Sequence, residues 1–358
     1  MRRPAVAAAA CGAALGVAWV ARKRWRSYNA RAMAFFHERM NSADFAADVA
    51  RVRAYAATRR RDFEAAGAPA ASFPRAVDLV VSGGGFKVCY AGGVHIALGD
   101  MGVETARFAG ASAGAQVGYC MYANDHDAAL TWALSVAATT KAFPFAFPGP
   151  MWDRFYRAKA REHGVPEPGR LVVSITRVTA TLLGVLPTAG ESTLIDAFRD
   201  ADDVGDALIA TANVPYLMTA AAAMPFRGAG ALDGGLTNNC PHFTDGARPQ
   251  VVVTWDDLEE GLRARTAGLY LTGDEMVALA TRGIDAAYAL ARGEPARCVA
   301  LVDADLAGLP AACRRSADSV DLLGIAYAAA ETYLAPLEKR AVRRAGRGAP
   351  GRGQNNTC

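Results

Sequence analysis

Residues Gly110-Ala111-Ser112-Ala113-Gly114 set a serine between two glycines, after Arg107-Phe108-Ala109 and before a helix-like stretch from Ala115 to Ala123. A serine nucleophile on a sharp strand-to-helix turn needs this pattern, because bulky side chains two residues away would collide with the folded-back backbone. The helix that follows would supply backbone N–H donors for an oxyanion. Small-residue turns are also common in an Ala/Gly-rich chain, so the pentapeptide alone fits a catalytic elbow or a plain turn.

Two more glycine clusters carry similar ambiguity. Ser82-Gly83-Gly84-Gly85 closes the run Ala76-Val77-Asp78-Leu79-Val80-Val81 and precedes helical residues from about Val88 to Leu98. A phosphate-binding loop fits poorly. The dinucleotide fingerprint would need a third glycine where Val88 stands, and a Walker loop would need Gly-Lys-Ser/Thr where the chain has Phe86-Lys87-Val88. What remains is a set of N–H groups suited to an oxyanion, or a tight structural turn. Leu232-Asp233-Gly234-Gly235-Leu236-Thr237-Asn238-Asn239-Cys240-Pro241 places an acid beside glycines that permit close backbone approach, or forms a simple Asp-Gly turn.

In this order, the three clusters resemble the patatin-like phospholipase family over roughly Ala76 to Trp255. Gly83-Gly84-Gly85-Phe86-Lys87 matches the family's oxyanion loop, Gly110 to Gly114 its nucleophile elbow, and Asp233-Gly234-Gly235 its aspartate motif, with Asn239 and Pro241 following. Val172 to Arg177 and Ile209 to Pro215 look most like the adiponutrin-related, eukaryotic branch. Val88 stands where many members have glycine. The resemblance implies a three-layer α/β/α hydrolase with a largely parallel central sheet. It also implies a Ser–Asp dyad without a third residue, Ser112 attacking an ester carbonyl and Asp233 taking its proton. The implied oxyanion site is the segment Gly83, Gly84, Gly85 and Phe86 together with Ala113, with Lys87, Gly110, Gly114, Gly234, Gly235 and Asn239 in support. Aspartate ordinarily ionises near pH 4 and is a weak base in water, so a dry pocket and oxyanion stabilisation must compensate.

The five histidines test a conventional triad: His37, His95, His126, His163 and His242. A Ser, acid, His order leaves His163 and His242, the latter with Asp196 or Asp206, and would leave Asp-Gly-Gly without a purpose. No calcium loop or His/Cys cluster suggests a metal, and the dyad needs no metal or cofactor. Seven scattered cysteines read as buried or idle thiols in a reducing compartment. Ala142 to Pro148 with Met151 and Trp152 reads as a lipid-facing lip or as core. Trp132 reads as core, and Asp202-Asp203 and Glu259-Glu260 as solvated faces or caps.

The elements that must position these residues follow from local pattern. The apolar runs Ala76–Val81, Leu171–Ile175 and Gln250–Trp255, alternating with helical stretches, indicate an α/β sheet with a largely parallel core. Arg31 to Ala66 reads as one or two surface helices, and Gly67 to Pro74 as a boundary. The expected organisation is a targeting or anchor segment over 1–30, a helical extension over 31–74, a catalytic domain over 75–336 and a basic, disordered tail over 337–358.

Charge follows the same division. With 52% hydrophobic and 21% charged residues the 358-residue chain is neither disordered nor polytopic. Thirteen of its 39 Lys/Arg lie in residues 1–31 and 339–358, which contain no acid, leaving 26 basic against 35 acidic residues, or −9, for the body. Nucleic-acid binding would need the opposite distribution, whereas basic ends suit an anionic membrane surface. Pro4 to Ala21 is uncharged and would span roughly 27 Å as a helix, just short of a bilayer core. Basic residues directly after it favour a membrane-associated enzyme with a cytosolic body; a cleaved signal and an organellar transit peptide are the alternatives. The function implied is hydrolysis of fatty acyl esters in glycerolipids at a membrane or lipid-droplet surface. A lipid-binding scaffold of the same fold, or an acyltransferase using the same serine, are the competing readings.

Overall fold

The computed structural model describes residues 26–67, 73–143, 148–182, 186–215, 218–219, 221–255, 271–314 and 319–321. Most of the 1–30 segment, the 337–358 tail, Pro144 to Phe147 and Glu259-Glu260 lie outside them. Among the described residues no helix is long and apolar enough to cross a membrane.

The core is a mixed, mostly parallel sheet flanked by helices. Helices α1 (26–40) and α2 (Ala43–Ala65) precede β1 (Ala76–Val81), α3 (Cys89–Asp100), β2 (Glu104–Ala111), α4 (Ala113–Tyr122), α5 (His126–Ala142) and α6 (Gly149–His163). There follow β3 (Leu171–Leu182), β4 (Leu186–Ile195), α7 (Ala201–Ala210), β5 (Met224–Phe226), β6 (Ala229–Asp233), β7 (Gln250–Val253), α8 (Gly273–Ala291), β8 (Val299–Val302) and β9 (Ser319–Asp321). Strand pairing runs β5-β6-β3-β2-β1-β7-β8, with β4 on β3 and β9 on β4. The contacts among β3, β2, β1 and β7 are parallel, and the rest antiparallel.

The strands of the central sheet are buried on both faces, which is why they read as continuous apolar runs. In β1, Val77, Leu79 and Val81 join the large core with the helices. Val80 joins a smaller core with Ala109, Val252, Cys240 and Cys313. The large core extends into α1 and α2 through Ala32, Phe36, Val52, Ala56 and Phe63, so these helices pack on the sheet's own core.

Three sequence expectations change here. The strand expected at Leu171–Ile175 continues to Leu182 and returns as β4, an antiparallel hairpin with no glycine-turn signal other than Gly184. Cys240 and Cys313 are joined in a disulfide rather than left as thiols, whereas Cys89, Cys120 and Cys298 are outside any disulfide and buried, as expected. Asp203 is not solvated: it is buried and binds Arg199 and Arg227, which hold its carboxyl well below the usual range against the effect of burial. The caps themselves are close by, since Asp200 accepts from the Asp203 amide at the start of α7. Trp132, Met151 and Trp152 are core residues.

Candidate active site

The site is built where the parallel strands end. β2 leaves the sheet at Ala111 and α4 begins at Ala113, so Ser112 alone makes the turn, with φ 52° and ψ −133°. A positive φ at a residue with a Cβ is strained, and it is held only where the surroundings over-determine it. The flanking glycines let the turn close. A Cβ on Gly110 would sit 2.5 Å from the Ala115 nitrogen, and one on Gly114 would sit 2.3 Å from the Val81 carbonyl oxygen.

Asp233 is the last residue of β6. Ile175 of β3 pairs with it, directly after Ser174 has paired with Ala111. Since β4 borders β3 at both positions, β2 and β6 share the other edge of β3 and meet end to end there. The meeting brings Ser112 Oγ to 2.7 Å from Asp233 Oδ2, a hydrogen bond donated by the hydroxyl. The other carboxylate oxygen, Oδ1, accepts from the Gly235 amide at 2.7 Å. Burial pushes the Asp233 carboxyl up to about 6, with the Ser112 and Gly235 hydrogen bonds pulling the other way.

The glycine loop lies against the serine. A Cβ on Gly83 would come within 2.9 Å of Ser112 Cβ. Gly83 differs from the sequence expectation in one respect: its N–H donates to the Asn239 carbonyl at 3.1 Å, so it contributes close approach and not an oxyanion donor. The amides of Gly84, Gly85, Phe86 and Ala113 have no hydrogen-bond partner among the described residues. Asn239 Nδ2 donates back to the Gly83 carbonyl at 3.3 Å, tying the aspartate motif to the loop. The Trp255 indole N–H donates to the same carbonyl at 2.8 Å, and Lys87 is buried with its ammonium 5.8 Å from the Trp255 ring.

Sequence reasoning took Ile209 to Pro215 only as part of a branch resemblance and gave the segment after α7 no role at the site. The Ser112 amide donates to Thr211 Oγ1 at 2.8 Å, while the Asp233 and Gly234 amides donate to the carbonyls of Asn213 and Thr211. Thr176 Oγ1 donates to the Asp233 carbonyl at 2.8 Å. Only the Ala-Thr-Ala-Asn composition of that stretch, short polar side chains amid alanines, hinted at such a role.

The histidines stand apart from this arrangement. His242 Nδ1 lies 3.4 Å from the Cys240 carbonyl, and His163 Nε2 lies 3.2 Å from Asp125. His95 and His126 stack on each other, with their rings held neutral by burial. Asp125, Glu162 and His163 are close enough together to suggest a metal site, but Lys159 lies between Asp125 and Glu162 and already supplies the positive charge.

Beside the elbow lies a small apolar cavity, about 40 Å³, whose lining includes Val88, Ala113, Val117 and Met121. Val49 and Val52 of α2 form part of its wall.

A serine at positive φ on a strand–turn–helix elbow where parallel strands end is the nucleophile-elbow geometry of α/β hydrolases, here with a buried carboxylate against the hydroxyl where those enzymes place a histidine. Residues 79–244, just under half of the chain, match the family model of the patatin-like phospholipases, which supports a family of lipid acyl hydrolases. No curated protein matched the chain, and no homologue confirms the adiponutrin-related branch.

Proposed function

We propose that the protein is a serine-dependent lipid acyl hydrolase in which Ser112 is the nucleophile and Asp233 the general base. The observation that carries this reading is the 2.7 Å hydrogen bond from Ser112 Oγ to Asp233 Oδ2 at the end of the parallel sheet. As Ser112 Oγ bonds to the ester carbonyl carbon, its proton passes to Asp233 Oδ2 and the carbonyl electrons move onto oxygen. The amides of Gly84, Gly85, Phe86 and Ala113 are the donors proposed for that oxyanion. Collapse breaks the bond to the alcohol, which takes the proton from Asp233. Water then attacks the acyl-serine and gives a proton to Asp233; collapse breaks the bond to Ser112 Oγ, which takes that proton back, and the fatty acid leaves. A carboxylate raised to about 6 is a better base near neutral pH than an ordinary aspartate.

The apolar cavity beside Ala113 supports an acyl group as the moiety bound. Its free space is smaller than a fatty acyl chain, so the chain would enter by turning flexible side chains such as Met121 and Leu130. Phospholipids and neutral acylglycerols are both proposed substrates. The basic, acid-free ends are proposed to keep the acidic body at a lipid surface.

The test is fatty acid release by wild type and Ser112→Ala from phospholipid vesicles and from triacylglycerol emulsions. Release by wild type alone is expected, and the more active substrate identifies the lipid class. Equal release by both proteins overturns the proposal.

A further inference from the structure

We infer that Thr211 is a positioning residue that holds the Ser112 backbone in its strained turn; this rests on the reading of Ser112 as a nucleophile. Three observations carry it. Ser112 has left the sheet, so its N–H has no strand partner, and the Thr211 hydroxyl accepts it at 2.8 Å. The same hydroxyl donates its proton to the Ser174 carbonyl at 2.5 Å. Ser174 is the β3 residue paired with Ala111, so the hydroxyl extends the β2–β3 ladder by one position at the point where the backbone turns away.

Thr211 also reaches the partner of the serine. Its carbonyl accepts from the Gly234 amide, and the Asn213 carbonyl two residues on accepts from the Asp233 amide. One short, fully buried segment therefore fixes the serine through a side chain and the aspartate through backbone carbonyls. The Ser112 amide is thereby excluded from the oxyanion site, which leaves the Ala113 amide on that side of the elbow. An amide without this acceptor would be half-buried and unpaired, and the positive-φ turn would lose the contact that opposes its relaxation. A nucleophile displaced by about an ångström loses most of its rate.

The experiment compares Thr211→Val, which keeps the shape and removes the hydroxyl, with Thr211→Ser, which keeps the hydroxyl. The full chain is used, and the rate of Ser112 labelling by a fluorophosphonate is measured per folded molecule across pH. Thr211→Val is expected to label at least about tenfold more slowly and Thr211→Ser within about twofold of wild type. The midpoint of the acid limb is expected to move up in Thr211→Val alone, because the Ser112 hydrogen bond that pulls the Asp233 carboxyl down is then lost. A merely structural role would lower the melting temperature and the folded fraction yet leave labelling per folded molecule at the wild-type rate; that result overturns the inference. Crystal structures of both variants give a readout that does not depend on reactivity. Loss of the Ser112–Asp233 hydrogen bond in Thr211→Val alone is expected, and an unchanged turn in that variant overturns the inference. Absence of labelling in wild type overturns the proposed function instead, leaving the structures to decide on Thr211.

Discussion

Ala111 and Asp233 pair with consecutive residues of one strand, Ser174 and Ile175 of β3. Two segments far apart in sequence thus end at the same point on β3, and the next residue after Ala111 is the one that meets the carboxylate. Residues separated by 121 positions are brought to hydrogen-bond distance by the spacing of a single strand, which is among the stiffest rulers a fold offers. Sites built on strands in this way hold geometry better than sites on loops.

The acid limb of activity should follow Asp233. With the carboxyl raised to about 6, kcat/KM is expected to climb through that pH as the carboxylate forms and to level off above it. A pH–rate profile on a soluble ester checks this; a limb centred near pH 4, where an ordinary aspartate titrates, would show that burial does not perturb the base.

The same shift makes Asp233 a liability for stability. Its folded value exceeds its unfolded one, so the native state holds the proton more tightly and stability falls as pH rises through about 6. Over a shift of this size the ionised carboxylate costs roughly 3 kcal/mol. Asp233→Asn is therefore expected to abolish hydrolysis yet melt higher than wild type at pH 8, with the gap closing by pH 4. Thermal unfolding at the two pH values checks it.

His242 should be dispensable. Its ring lies against the Cys240 carbonyl and not against Ser112, so His242→Ala is expected to keep kcat/KM within about twofold, a change smaller than 0.5 kcal/mol. Complete loss of activity in a folded His242→Ala protein would restore the conventional triad.

The cavity wall supplied by α2 should limit the acyl group. Val49→Trp is expected to shift hydrolysis of p-nitrophenyl esters toward shorter chains, while overpacking costs about 1–3 kcal/mol of stability. Rates over a chain-length series check this, and an unchanged profile would separate the cavity from the substrate.

The motifs of the proposed site were legible because the residue types that make up each one stand close together in the chain. Gly110 is required by a contact within the elbow, whereas Gly114 is required by the close approach of the Val81 and Ser82 carbonyls at the end of β1; the short apolar runs of β1 and β7 announce buried parallel strands whatever lies around them. The β3–β4 hairpin was less legible, since the sequence between Leu182 and Leu186 carries one glycine as its turn signal and the distal half of β3 is largely exposed. The disulfide depends on two distant loops meeting over the small core, which cysteine spacing does not reveal.

By itself, the sequence determined which residue types could act: a serine in a turn only glycines permit, an acid beside two glycines, and a loop of available amides. Tertiary structure alone decided that Asp233, and no histidine, reaches Ser112. It also decided that the Gly83 amide is taken by the Asn239 carbonyl, and that the Thr211 hydroxyl accepts the Ser112 amide. The physical reason is that local pattern sets backbone conformation within a few residues. Proximity, burial and the resulting rise of the Asp233 carboxyl depend on strand register, and register is settled only when the whole sheet packs.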